Sequence, residues 1–255
     1  MLDRGSLLCG LMLFEFLIFV ALAHMSMSIR MMKLRSGRHI MQMSTSVENP
    51  LQGMHDSISS VLDMDKTLVD PLSCSSLSQC LKMMNSVSLS DVGLKLGGLK
   101  DYGPTYCMNI VQEETHDITV FVIPKGNSIP LHDHPGMLVA SKLLQGELEV
   151  ESYSEAHSGL YKSTKEIRTH EEGAWYLTPT EGNFHQFKAL KTCVVLDLLM
   201  PPYAENKGRT CTYYKKRRAE GLFWQLAALP TFWAPDEADC VYNGDSYYKG
   251  FKPTK

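Results

Sequence analysis

Two histidines one residue apart, His132 and His134, are the chemically most informative feature of this 255-residue sequence. On a β-strand, residues two apart face the same side, so both imidazoles can reach one metal ion while Asp133 points away. Neutral imidazole suits iron, zinc, copper and nickel. Alone such a pair says little, because histidine pairs also occur on solvent-facing strands. What gives it weight is the spacing of the residues around it.

That spacing resembles the two-motif pattern of cupins. Gly126 stands six residues before His132, and Gly146 follows the next apolar stretch. A second set, Gly173, Pro179, Gly182 and His185, fills the other motif with one extra residue between Pro179 and Gly182. The resemblance implies a third metal ligand at His185. Most metal cupins also carry a glutamate four or five residues after the second histidine; here those positions are Leu138 and Val139. The site therefore resembles the three-histidine subset. Three neutral ligands would leave iron(II) its full +2 charge and three open positions, enough for a thiolate, an amine and O₂. A two-histidine, one-carboxylate oxygenase would instead retain an anionic ligand.

The elements that must position these residues read as strands. Residues 118–124 are β-branched and aromatic, 138–144 are apolar, and 147–153 alternate apolar and polar with a period of two. Further strands are expected at 174–177, 184–189 and 193–199. Many short strands between Gly, Pro and Asn turns predict an all-β cupin-type double-stranded β-helix, a jelly-roll barrel. A few short N-terminal helices precede it, one over 77–84, with Ser88–Asp91 capping another turn. No βαβ rhythm or glycine-rich phosphate loop is present, which excludes a Rossmann or P-loop reading.

A hydrophobic fraction of 44% and a charged fraction of 21% are those of an ordinary globular protein. The net charge of -3 excludes nucleic acid as an expected partner. Lys215–Arg218 reads as a solvated turn. The seven cysteines are odd in number and scattered, without a C-x-x-C pair, which argues against a disulfide framework and a zinc knuckle. Free thiols in a reducing compartment follow.

Four segments are expected: an apolar and basic N-terminal stretch (1–40), a Met- and Ser-rich linker (41–74), the catalytic barrel (75–215) and a C-terminal extension (216–255). Residues 7–23 are apolar, with basic residues on both sides, and three readings stand for them: a signal anchor, a cleaved signal peptide, or a non-native leader ahead of Met25 or Met27. Glu15 in their midst costs an inserted helix roughly 2.5–3.5 kcal/mol. The expected location is cytosol or nucleus, with membrane anchoring through 7–23 left open, and the chain is expected to be a monomer.

Residues 129–137 (IPLHDHPGM), 141–146 (SKLLQG), 196–203 (LDLLMPPY) and 208–214 (GRTCTYY) resemble the plant cysteine oxidases and the related animal 2-aminoethanethiol dioxygenases. The resemblance spans residues 75 to 215. It implies a non-haem iron(II) enzyme that adds both atoms of O₂ to a cysteine thiol, giving the sulfinic acid. The implied substrates are N-terminal cysteines of regulatory proteins, marked thereby for degradation at a rate set by oxygen; some members accept cysteamine. It further implies that Asp197 lies near the substrate, that Tyr203 is an active-site tyrosine, and that Cys211 and Tyr213 match a pair able to form a thioether. Two other classes remain: a metal cupin isomerase using Mn, Ni or Zn, and a non-enzymatic binding module.

Overall fold

The computed structural model describes residues 27–33, 39–45, 50–64, 74–230 and 241–242. The chain divides into two compact units, Met1–Asn49 and Pro50–Lys255. In the first, strands β1 (Met27–Lys33) and β2 (His39–Thr45) pair antiparallel, with Met27 opposite Thr45.

The second unit opens with helix α1 (Pro50–Met64) inside the stretch read as a linker. The Met- and Ser-rich composition hides a buried stripe: the apolar Leu51, Met54 and Ile58 recur at helical spacing, with the polar His55 buried beside them. Pro50 suits the first helical position because its missing N–H has no partner there in any helix. Helix α2 (Cys74–Ser86) repeats the device with Cys80 and Met84. Just beyond it, as expected, Asp91 accepts from the Ser88 amide (2.8 Å) and hydroxyl (2.5 Å).

The strands that follow are β3 (Tyr106–Gln112), β4 (Asp117–Ile123), β5 (Ser128–His132), β6 (Leu138–Gln145), β7 (Glu147–His157) and β8 (Leu160–Thr169). Then come β9 (Trp175–Leu177), β10 (Phe184–Ala189), β11 (Cys193–Met200), β12 (Tyr214–Arg218), β13 (Phe223–Ala228) and β14 (Val241–Tyr242). They form two six-stranded sheets, ordered β12-β13-β8-β7-β10-β5 and β14-β3-β4-β11-β6-β9. Apart from the parallel β14–β3 pair, neighbours run antiparallel. This is the jelly-roll barrel of a cupin.

Burial explains why β11 reads as an apolar run broken only by Asp197: it is buried on both faces. Val194, Leu196, Leu198 and Met200 pack with Leu51, Met54, Ile58 and Met84 of the helices. Val195 and Cys193 face the other way and meet Leu148, Val150 and Phe187 from the opposite sheet. Each such side chain contributes roughly 1.5–3 kcal/mol relative to exposure. The hairpin into β7 depends on Gly146, whose φ of 99° disfavours a side chain. A Cβ there would also press on Thr192 and come within 2.9 Å of Cys193 Cα.

Two expectations are corrected. Lys215–Arg218 is not a turn but most of strand β12, hydrogen-bonded to β13, which in turn pairs with β8. Two of its four cations lie on an aromatic ring: Lys216 Nζ is 5.5 Å from the Trp224 ring centre and the Arg218 guanidinium 4.6 Å. Lys216 also pairs at 2.7 Å with Glu151, which takes further bonds from Tyr153 and Gln186. The second correction concerns location. The expectation of cytosol or nucleus with an anchor is overturned to this extent: among the described residues no helix is long and apolar enough to cross a membrane. Residues 7–23 lie outside the described residues.

Helix α1 is tied to the β3–β4 turn by two buried rings, His55 Nδ1 lying 3.0 Å from His116 Nε2. Burial first, and then the neighbouring His55, push His116 down from 6.5 to about 4. Between those values the unfolded chain binds a proton that the folded chain refuses, so stability falls as pH drops through the window, by up to about 3 kcal/mol. Burial pushes the Asp117 carboxyl up to about 6, which acts in the opposite sense over most of the same window. A comparison of wild type with His116→Gln isolates the histidine. The wild type's advantage in urea unfolding is expected to be smaller at pH 4.5 than at pH 7 by at least about 1 kcal/mol; equal advantages would refute it.

Candidate metal centre

His132 ends strand β5 and lies directly opposite His185 of β10 in the antiparallel register. His134 is beyond the strand end, so the two-residue alternation that the sequence suggests does not aim it. Asn183 does. Its side-chain oxygen accepts the His134 amide at 3.1 Å, and its nitrogen donates to the His134 carbonyl at 2.7 Å. The three rings stand edge to edge, with centres 4.7–4.9 Å apart and interplanar angles of 64–80°. Their ligand atoms lie within 4.8 Å of one another, and among the described residues no other His, Cys, Asp or Glu joins the group.

The hydrogen bonds leave lone pairs facing inward. His132 Nδ1 lies 2.7 Å from the Pro130 carbonyl, which can only accept, so the proton is on Nδ1 and Nε2 is bare. The Tyr203 hydroxyl spends its one proton on the Asp133 carbonyl at 2.7 Å. Its oxygen must then accept from His134 Nδ1 at 2.7 Å, which leaves His134 Nε2 bare as well. That atom is 3.1 Å from His185 Nε2. Burial pushes all three imidazoles down, His132 to about 4 and the other two well below their ordinary value, so they are neutral at physiological pH. Neutral nitrogens converging in a buried pocket fit a divalent metal ion, because ligation needs the unprotonated form. Leu138 and Val139, the positions of the missing glutamate, are buried among apolar neighbours.

The other expected residues divide. Tyr203 stacks on His134, ring centres 5.2 Å apart, and packs with Met137, Val139, Leu177 and Leu199. Cys211 lies beside Tyr203 and Tyr213, and burial pushes its thiol up to about 11. Tyr213 forms an isolated bridge with His132, their rings 6.1 Å apart. These residues gather at the three histidines. Asp197 sits on β11 between Thr119 and Ser141, on the same strand face as Leu199 of the Tyr203 cluster, and is 5% exposed. Ser141 hydrogen-bonds its carboxyl, burial pushes it up to about 7, and Oδ1 has no hydrogen-bond partner.

The sequence reading passed over Asn183, Asp133 and Tyr214. Asn183 directly follows Gly182 and carried no signal beyond that of a turn. Asp133 carried one readable signal: a carboxylate flanked by two buried ligands has to be satisfied somewhere.

A family model described as PCO_ADO matches residues 83–225. The chain is 34% identical to a probable 2-aminoethanethiol dioxygenase of Dictyostelium discoideum, over 55% of this chain and 66% of that protein. It is 36% identical to plant cysteine oxidase 1 of Arabidopsis thaliana over 44% of this chain and 41% of that one. With the Homo sapiens 2-aminoethanethiol dioxygenase the identity is 30%, over 44% and 52%. The chain thus spans less than two thirds of these relatives' own lengths. A solved cupin superfamily protein from Desulfitobacterium hafniense is 15% identical, over 43% of this chain and 90% of that one, with a TM-score of 0.33. Since the matched family model runs over more than half of its residues, the chain belongs to the PCO_ADO family.

Proposed function

We propose that this protein is a thiol dioxygenase that converts an N-terminal cysteine of protein substrates to cysteine sulfinic acid, an oxygen-dependent step in their degradation. The observation that carries the reading is the centre itself: three buried, neutral histidines, with Nε2 of His132 and His134 left bare, and no carboxylate among them. His132, His134 and His185 would hold iron(II), which when bound supplies thiol acidification and the activation of O₂. The reaction balances without an external reductant: R–SH and O₂ give R–SO₂H, sulfur losing four electrons and the two oxygen atoms gaining them.

The chain's own residues supply position. Asp197 Oδ1, buried without a partner, receives the substrate's α-ammonium in a charge-assisted hydrogen bond. Tyr203 keeps His134 in the tautomer that presents Nε2. Met137, Val139, Leu177 and Leu199 exclude water on the same side.

A cysteine-initiating peptide is favoured over free cysteine by the arginines. Free cysteine would need a cation for its carboxylate. The Arg209 Nε donates to the Pro202 carbonyl, and Arg168 pairs with Glu166 and Glu172. Cysteamine, which lacks a carboxylate, is the second reading. The test is mass spectrometry of a Cys-initiating peptide, cysteamine and free cysteine incubated in air with the iron-loaded full chain. A gain of two oxygen atoms on the peptide, absent under nitrogen and absent with His132→Ala, is expected. Oxidation of cysteamine alone would move the substrate; no gain on any thiol would remove the dioxygenase reading.

A further inference from the structure

The residue between the two histidine ligands is itself densely connected. Asp133 is 7% exposed, and four hydrogen bonds meet on it. Two use its backbone: the amide donates to the Thr212 carbonyl at 3.2 Å, and the carbonyl accepts the Tyr203 hydroxyl at 2.7 Å. Two use the carboxylate: Oδ1 accepts the Thr212 amide at 2.9 Å and Oδ2 the Tyr214 hydroxyl at 2.9 Å. Thr212 and Tyr214 flank Tyr213, and Thr212 follows Cys211, so the carboxylate grips the chain on both sides of Tyr213 and directly after Cys211. Tyr214 is itself held against Phe184, ring centres 5.1 Å apart, and Phe184 precedes the ligand His185.

Segment 211–214 leads into strand β12, which Tyr214 opens opposite Ala228. Residues 211 and 212 belong to no strand, and Tyr213 bridges to His132 and accepts the Leu229 amide at 2.8 Å. A buried carboxylate is costly unless its lone pairs are filled, so its presence here needs a return. Holding this segment supplies one.

We propose that Asp133 is a positioning residue. Its carboxylate fixes Cys211 and Tyr213 over the metal centre, and its backbone, through Tyr203, orients His134. The proposal deepens the dioxygenase reading and rests on it only for the turnover measurement. The division between backbone and side chain makes it separable from a general loss of fold. Any substitution at Asp133 leaves the backbone bonds, hence Tyr203 and the orientation of His134, in place. It removes only the grip on 212–214.

The experiment uses the iron-loaded full chain with Asp133→Ala, Asp133→Asn and Tyr214→Phe. Bound iron per chain is expected to stay at the wild-type level in all three. Hydrogen exchange is expected to rise in the peptide covering 209–214 and not in β7 or β11. Turnover of the Cys-initiating peptide is expected to fall about 10–100-fold in kcat for alanine, with KM changing less. Asparagine, which keeps an acceptor for the Thr212 amide, should recover part of that loss. Tyr214→Phe removes one bond from the other end and should add nothing on top of Asp133→Ala. Exchange rising across the whole barrel, loss of iron with unchanged exchange at 209–214, or wild-type kcat in the alanine variant would each overturn the proposal. Should Asp133→Ala not fold, Tyr214→Phe carries the same exchange prediction. If the wild-type chain oxidises no thiol, the function reading fails, while the exchange comparison still decides the role of Asp133.

Discussion

Replacing His185 with alanine is expected to strip the barrel of its metal and of thiol oxidation together. The argument is one of ligand number. Only three side chains present nitrogens to the centre, and no fourth protein ligand stands among the described residues to make up a loss. With binding energies of roughly 10–16 kcal/mol spread over about four ligands in structural zinc sites, deleting one should weaken binding by at least about a hundredfold. His185 is also the ligand whose strand pairs with both β5 and β7, so its backbone stays fixed when the ring is removed. The barrel should therefore fold and simply fail to retain the ion. Iron per chain after dialysis, together with O₂ consumption on a Cys-initiating peptide, measures both effects. His157→Ala, an exposed ring resting on Phe223, serves as the control and should change neither. Full iron content and turnover in the His185 variant would sink the three-histidine assignment.

The sequence carried the barrel because its signals were local. β4, β6, β7, β10 and β11 lie within a residue or a few of the stretches whose alternation or apolar runs announced them. Gly126 and Gly146 could be read as turns because each adopts a left-handed φ, 86° and 99°, that a side chain resists. The ligands were legible through their spacing from those turns. What escaped depended on distant partners. β8 and β12 expose so many charged side chains that their pattern matches a solvated surface; only the rings of Trp224 and Tyr153 beside Lys216 reveal the packing. Helix α1 lay in a stretch whose composition averaged to a linker, although its four inward residues were correctly spaced. Asn183 acts on His134 across 49 positions of sequence, and Asp133 on Tyr214 across 81, distances at which one chain offers no pattern to read.

Asp197→Asn is expected to make the protein more stable and less active, with both effects growing as pH rises. The buried carboxyl titrates at about 7 in the folded chain against 3.8 when exposed. The folded state therefore holds a proton that the unfolded state gives up. Stability is fully present below about pH 4 and declines as pH climbs to 7, by about 4 kcal/mol for a shift of that size. Asparagine has no charge to bury, so it escapes this cost. It brings instead an amide nitrogen that needs an acceptor, worth about 1–3 kcal/mol if unmet. The difference predicts a gain of about 1–3 kcal/mol at pH 8 in the metal-free chain, shrinking towards zero or reversing near pH 5. Such a liability is retained where the ionised form does something the neutral form cannot, and here that is to receive a substrate ammonium. A cation on the histidines favours the carboxylate, so the acid limb of kcat/KM should lie below 7 in the loaded enzyme, and the asparagine variant should lose that limb. Urea unfolding at pH 5 and 8 with a pH profile of peptide oxidation tests both halves. A variant that is destabilised at pH 8, or that keeps the wild-type acid limb, would show that Asp197 is there for packing and that the ammonium is bound elsewhere.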